Sequence, residues 1–292
     1  MKNRCILTIL LATFFALHAV AWGPTGHRVV AEIAQRHLTP AARNRVARLL
    51  GGYSLAEVAN WADDLRSDPR FDKYKRLHYA TVPDGVTSYR DAKKEPCGDL
   101  VAAIDALSAF LKTGSREDLF TVKALTDKSD GACNPQETDP ISANTALRVL
   151  VHFMGDLSQP LHAGGTDLGG NQVKVNWMNH WPSNLHSIWD DEMVDHERLD
   201  YPAYSSFLDH TSAADVARWQ MGDTIAWADE DVAMRPKLYL FPDDKRPFAA
   251  GEAVTPGYLV SYGYIGAQRD RMRQQLLKGG LRLAGVLNAI FK

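Results

Sequence analysis

Apolar residues recur at helical spacing along most of this chain, and turn-forming clusters punctuate them. Val29, Val30, Ile33 and Ala34 make one stripe within a helix expected from Gly26 to His37. Thr39-Pro40 opens a second helix, which runs through Leu50 and stops at Gly51-Gly52. Ser54 caps a third, running towards Arg66. Leu100, Ala103, Ile104, Leu107 and Leu111 give an amphipathic helix from Asp99 to Leu111. Ser142 to Leu157 is more fully apolar, with Leu147, Leu150, Val151 and Phe153, which predicts a central buried helix. Further helices are expected from Ser183 to His196, Ala213 to Asp229 and Gly257 to Asn288, with Gly279-Gly280 a candidate break in the last. Turn-rich stretches run from Pro83 to Pro96, Lys128 to Asp139, Gly164 to Asn171 and Pro242 to Pro256. Gln172 to Trp177 alternates and offers one strand of a short hairpin. With no internal repeat and no clear linker, the pattern predicts one mainly α domain.

Charge interrupts the most apolar of these helices. His152 and Asp156 lie four residues apart, so both side chains project from one helical face, where unpaired charge is expensive. Pro160 ends or kinks the helix and returns His162 to the same region. His186 and Asp190 then repeat the His-x-x-x-Asp spacing. A single such pair reads as an ordinary surface contact. Two of them with His162 in one short stretch read as a metal site, because imidazole and carboxylate are ligands that zinc accepts. Upstream, Trp22-Gly23-Pro24-Thr25-Gly26-His27 adds a histidine, and Trp61-Ala62-Asp63-Asp64-Leu65-Arg66 sets Asp63 and Arg66 three apart. Alone, the latter is an ion pair along a helix. Leu77-His78-Tyr79 adds a histidine beside an aromatic, which by itself reads as core.

Composition changes the picture in three ways. First, the start reads as a secretory signal: Lys2 and Arg4, an apolar run from Ile6 to Val20, and Ala19-Val20-Ala21 as a cleavage site. The run is short for a membrane span. The alternative is an uncleaved anchor. Cleavage leaves 22–292 as the working domain, with no membrane anchor and a secreted or periplasmic destination. It also leaves a free α-amino group on Trp22, whose reference pKa of about 8 lets it ligate metal. Second, losing Lys2 and Arg4 takes the formal charge from −2 to −4. Such a protein has no broad electrostatic hold on nucleic acid, which counts against a groove binder but not against a metalloenzyme. Third, Cys97 and Cys133 remain, an expected disulfide in an exported protein. No N-x-Ser/Thr acceptor occurs.

Taken in order, Trp22 to His27, Trp61 to Arg66, Leu77 to Tyr79, His152 to His162 and Asn184 to Asp190 resemble the S1/P1 nuclease family of zinc-dependent single-strand nucleases. Trp227-Ala228-Asp229-Glu230 and Leu281 to Asn288 also look familial. The resemblance implies a helical fold shared with the zinc-dependent phospholipases C, and three zinc ions. One zinc would be held by Asp63, His78 and His152, with Asp156 bridging to a second. That second would take His27 and the amino nitrogen and carbonyl oxygen of Trp22. The third would take His162, His186 and Asp190. The implied substrates are single-stranded DNA and RNA, cut to 5′-phosphate products, and 3′-mononucleotides, which would lose their 3′-phosphate; the acting form would be a monomer. Asp63 would orient the nucleophile and Arg66 would hold phosphate oxygens. Tyr79 matches the family's base-stacking aromatic, with core packing as its other reading. Asn171 is a candidate for a base edge, or simply a turn residue. The chain departs from secreted fungal and plant members in having fewer cysteines. Two rival functions remain, a zinc-dependent phospholipase C and a non-catalytic zinc-binding protein.

Overall fold

The computed structural model describes residues 22–115, 125, 141–251 and 254–292. The expected signal segment, Cys133 and the turn-rich stretch from Lys128 to Asp139 lie outside the described residues. Helix α1 (Pro24–Arg36) starts with proline at its first turn and buries Val29, Val30, Ile33 and Ala34 with His27 on the same side. Helix α2 (Pro40–Leu50) is capped by the Thr39 hydroxyl, which accepts from Ala42 N, and ends at Gly51 with φ 66°. Ser54 and Glu57 form a reciprocal capping box at the start of α3 (Leu55–Val58). The single helix expected from Ser54 to Arg66 is instead two, because the chain turns at Asn60 before α4 (Trp61–Asp64). That break leaves the Ala59 carbonyl for a side chain from another helix.

A 3₁₀ segment, Pro69–His78, leads into β1 (Ala80–Thr81). Helix α5 (Leu100–Thr113) is capped by Asp99, and α6 (Ala143–Asp156) by Ser142. Helix α6 is buried along most of its length, as its apolar composition predicts. Its end leads through the 3₁₀ turn Pro160–His162 into β2 (Ala163–Gly164), which pairs in parallel with β1. The predicted hairpin is β3 (Lys174–Trp177) against β4 (Trp181–Asn184), antiparallel with Trp177 opposite Trp181. Its turn places Met178 and Asn179 at positive φ, the geometry a tight hairpin needs.

The helix expected from Ser183 begins later. Asn184 caps α7 (Leu185–Ser187), a π turn follows over Ile188–Glu192, and α8 (Met193–Asp195) completes the run. Helix α9 (Tyr201–Leu208) has no counterpart in the sequence reading. The helix expected from Ala213 to Asp229 divides into α10 (Ala213–Trp219) and α11 (Thr224–Leu238), because Gly222 turns at φ 92° and Asp223 caps the second. Tyr258–Val260 is not helical but forms β5, parallel to β3. The last helix, α12 (Tyr262–Ile290), does not break at Gly279-Gly280. Those glycines let α1 and the turn after α6 pack against it: a Cβ on Gly280 would lie 2.6 Å from Ile33 Cβ, and one on Gly279 2.6 Å from Ser158 Oγ. Among the described residues the fold is mainly α with two small sheets, and no helix is long and apolar enough to cross a membrane.

Candidate metal centre

Three elements distant in sequence meet at the C-terminal end of α6. Two-residue pairing of β1 with β2 sets Ala80 beside Ala163, so His78 and His162 arrive next to each other. The buried Arg235 of α11 fastens this ladder, donating to the carbonyls of Val82 (2.7 Å) and Ala163 (3.0 Å). The third element is the segment from Trp22 into α1. Trp22 is fully buried and its indole donates to Ser158 Oγ at 2.9 Å, while Gly23 N donates to the Asp190 carbonyl at 2.8 Å.

Together these bring eight predicted ligand side chains into three groups: His27, His152 and Asp156; Asp63, His78 and His152; and His162, His186 and Asp190. Ligand atoms within each group lie within 4.8 Å of one another. Asp156 faces two ways. Its Oδ1 is 3.3 Å from His27 Nε2, and its Oδ2 is 2.9 Å from His78 Nδ1 and 3.5 Å from His152 Nε2. Asp63 Oδ1 is 3.4 Å from His152 Nε2 and 2.7 Å from an Arg66 guanidinium nitrogen, so the ion pair read from the sequence is formed. His186 Nε2 lies 3.4 Å from Asp190 Oδ2, and His162 Nε2 3.8 Å from Asp190 Oδ1.

Backbone carbonyls fix the ring orientations. His152, His162 and His186 each donate from Nδ1 at 2.7 Å, to the carbonyls of Ala59, His78 and Gly169 respectively, which leaves Nε2 facing the group. Gln159 is fully buried and donates to Asp190 Oδ1 at 2.7 Å. Gly155 makes room for His27, since a Cβ there would sit 2.5 Å from His27 Nδ1. Sequence reasoning missed Gly155 and Gln159. Their only signal is position: a glycine and an amide flanking a predicted ligand on a buried helix.

A cation fits this donor set. Both ring nitrogens of His27, Asp156 Oδ1, His162 Nε2 and Asp190 Oδ2 are buried without hydrogen-bond partners. Burial drives His27 and His78 well below the usual imidazole range and His162 down to about 4, so all three are held in the neutral, ligating form. Burial also pushes Asp156 up and Asp190 to about 7. Burial opposes charge on His152, but the carboxylates of Asp156 and Asp63 outweigh it and raise the imidazole to about 9. Burial likewise opposes charge on Asp63, which His152, His78 and Arg66 nevertheless hold well below the carboxylate range.

A metal taken up here would compete with protons on Asp156, Asp190 and His152. Deprotonation favours the metal, so affinity should climb as pH rises from 6 through about 7 and on towards about 9. Calorimetry of metal binding in buffers of different ionisation enthalpy should show net proton release at pH 6. Asp190→Asn should remove the component near pH 7. Affinity independent of pH across this range would contradict the assignment.

Beside the ligands opens a cavity of about 360 Å³, lined by Arg66, Lys75, His78, Tyr79, His162, Asn171 and His186 among others. Tyr79 is 48 % exposed there, which does not fit its core-packing reading. Asn171 serves its turn, donating from Nδ2 to the Leu168 carbonyl at 2.8 Å, and also lines the cavity.

The S1/P1 Nuclease family profile matches residues 22–292. Endonuclease 3 of Arabidopsis thaliana is 30% identical over 299 residues, covering 98% of this chain and 94% of that protein. Nuclease P1 of Penicillium citrinum is 28% identical, covering 92% of this chain and 97% of its own length. Nuclease S1 of Aspergillus oryzae is 30% identical over 198 residues, covering 64% and 60%. Ligand groups, cavity and full-length similarity lead to one conclusion: this chain belongs to the S1/P1 nuclease family.

Proposed function

We propose that the chain, processed to begin at Trp22, is an exported zinc-dependent endonuclease. It hydrolyses single-stranded DNA and RNA to 5′-phosphate products and also acts as a 3′-nucleotidase. The observation that carries this reading is the placement of three His/Asp groups against a cavity that also holds an arginine and a half-exposed aromatic. The relatives named endonuclease, nuclease P1 and nuclease S1 support the same activity.

One zinc would be held by Asp63, His78 and His152, a second by His27 and the Trp22 amino nitrogen and carbonyl oxygen with Asp156 shared between them, and a third by His162, His186 and Asp190. Bound zinc supplies water acidified towards neutral pH and positive charge for the departing 3′ oxygen. Asp63 orients the attacking water by accepting its hydrogen bond. Arg66, held 2.7 Å from Asp63, presents a planar fork to the phosphate oxygens as charge builds on them. Tyr79 offers a ring face to an unstacked base, and the Asn171 amide, on the lining of the same cavity, offers a base-edge contact. A base paired within a duplex cannot reach that face, which accounts for the single-strand preference.

Arg66→Ala should leave metal content intact and lower turnover by on the order of 100-fold, the usual loss for one transition-state donor. Turnover equal to wild type would restrict Arg66 to its pair with Asp63. Parallel assays on single-stranded DNA and phosphatidylcholine separate the nuclease from the phospholipase C reading, and turnover of lipid alone would overturn the proposal. A zinc-loaded protein that hydrolyses neither RNA nor 3′-AMP would be the non-catalytic zinc binder.

A further inference from the structure

The cavity has two permanent cations and no carboxylate among its described lining residues. Its cations sit in different settings. Arg66 is mostly buried and contacts a predicted metal ligand. Lys75 is half-exposed on the lining of the same cavity. It lies on the 3₁₀ segment Pro69–His78, where residues three apart eclipse one another. Asp72, Lys75 and His78 therefore form one row, with Lys75 one turn, about 6 Å along the axis, from the ligand His78. Among the described residues Lys75 pairs with Asp72 at 2.6 Å, which is equally exposed, and an exposed pair of this kind is weak. A strand can displace it cheaply.

Resting on the nuclease reading above, we infer that Lys75 binds the phosphate flanking the scissile one, and so favours polynucleotides over substrates with a single phosphodiester. The acidic chain has no general attraction for nucleic acid, so the hold on a strand must come from local cations such as this one. A single reacting phosphate is served by Arg66 and the metal ligands. A half-exposed lysine one turn of the 3₁₀ segment from His78 is placed to meet a second phosphate when a strand supplies one.

The test compares a dinucleoside monophosphate with a single-stranded hexanucleotide, measuring kcat and KM across a salt series. Lys75→Ala should raise KM for the hexanucleotide several-fold with little change in kcat. It should also flatten the slope of log(kcat/KM) against log salt by about 0.7, the value for one phosphate contact on a single strand. The dinucleoside monophosphate should show a much smaller change of slope. Lys75→Arg should restore the hexanucleotide slope. Asp72→Asn, which breaks the same ion pair, should keep it at the wild-type value or steeper. Equal effects of Lys75→Ala on both substrates, or an unchanged slope, would overturn the inference while leaving the nuclease reading intact. Wild-type protein that cleaves neither substrate would remove the nuclease reading and this inference together.

Discussion

Asp156→Ala is expected to abolish hydrolysis and to strip metal from two of the three groups. The carboxyl is fully buried, and its two oxygens face different partners, His27 on one side and His78 with His152 on the other. Among the described residues no other side chain offers oxygens to both. Changing even an outer partner of a metal ligand costs 10–100-fold in affinity or activity, so removing a shared ligand should cost more than about 100-fold. Stability should move in the opposite sense in the metal-free protein. Burial already makes the ionised Asp156 unfavourable there, and alanine relieves that penalty. The melting temperature should therefore fall for metal-loaded protein and hold or rise after chelation. Metal content equal to wild type would show that Asp156 is not a shared ligand.

Gly155→Ala should be nearly as damaging, although it adds one methyl and removes no ligand. In an ordinary helix interior this change stabilises by about 1 kcal/mol. Here the new Cβ would lie 2.5 Å from His27 Nδ1 and 2.9 Å from its Cε1, closer than real contacts allow. The imidazole has nowhere to go, because it stacks on His152 with centroids 3.9 Å apart. The displaced ring should cost the group built on His27, His152 and Asp156 its metal and lower turnover by on the order of 100-fold. The group of His162, His186 and Asp190 should keep its own. Metal analysis with the crystal structure of the variant would check this, and an undisturbed His27 with full metal content would contradict it.

The contrast between these neighbours shows what the sequence can and cannot convey. Asp156 was legible because a carboxylate four residues from a histidine, on a helix otherwise apolar, has no cheap explanation. His186 and Asp190 were legible by the same spacing, and their side chains still meet although a π turn runs through Ile188–Glu192. Gly155 was not legible, since a glycine's purpose here is the space it leaves for a ring from a helix more than a hundred residues earlier. Gln159 was silent for a similar reason: its partner, Asp190, arrives from another element.

The fold divides along the same line. Helices with local caps, at Thr39, Ser54, Asp99 and Ser142, start where the sequence sets them. Strands of two or three residues, such as Ala80–Thr81 and Tyr258–Val260, form because remote partners present backbone groups to them. Their own residues carry too short a pattern to announce it. Gly279-Gly280 reads as a candidate break because glycine weakens helices. The structure uses the pair for close approach of α1 instead, a choice that only the packing partner Ile33 explains.

The most direct test of the account is metal content and activity on single-stranded DNA, comparing protein that begins at Trp22 with protein carrying extra N-terminal residues. Trp22 is buried, with its indole on Ser158 and the next residue's N–H on the Asp190 carbonyl, and on the proposed reading its freed amino group is a metal ligand that an extended chain would lack. The account predicts about three zinc ions and activity in the form beginning at Trp22, one for each ligand group, with loss of one zinc and of activity in the extended form. Equal zinc and equal activity in both forms would contradict it, and the metal centre would have to be rebuilt from side chains alone.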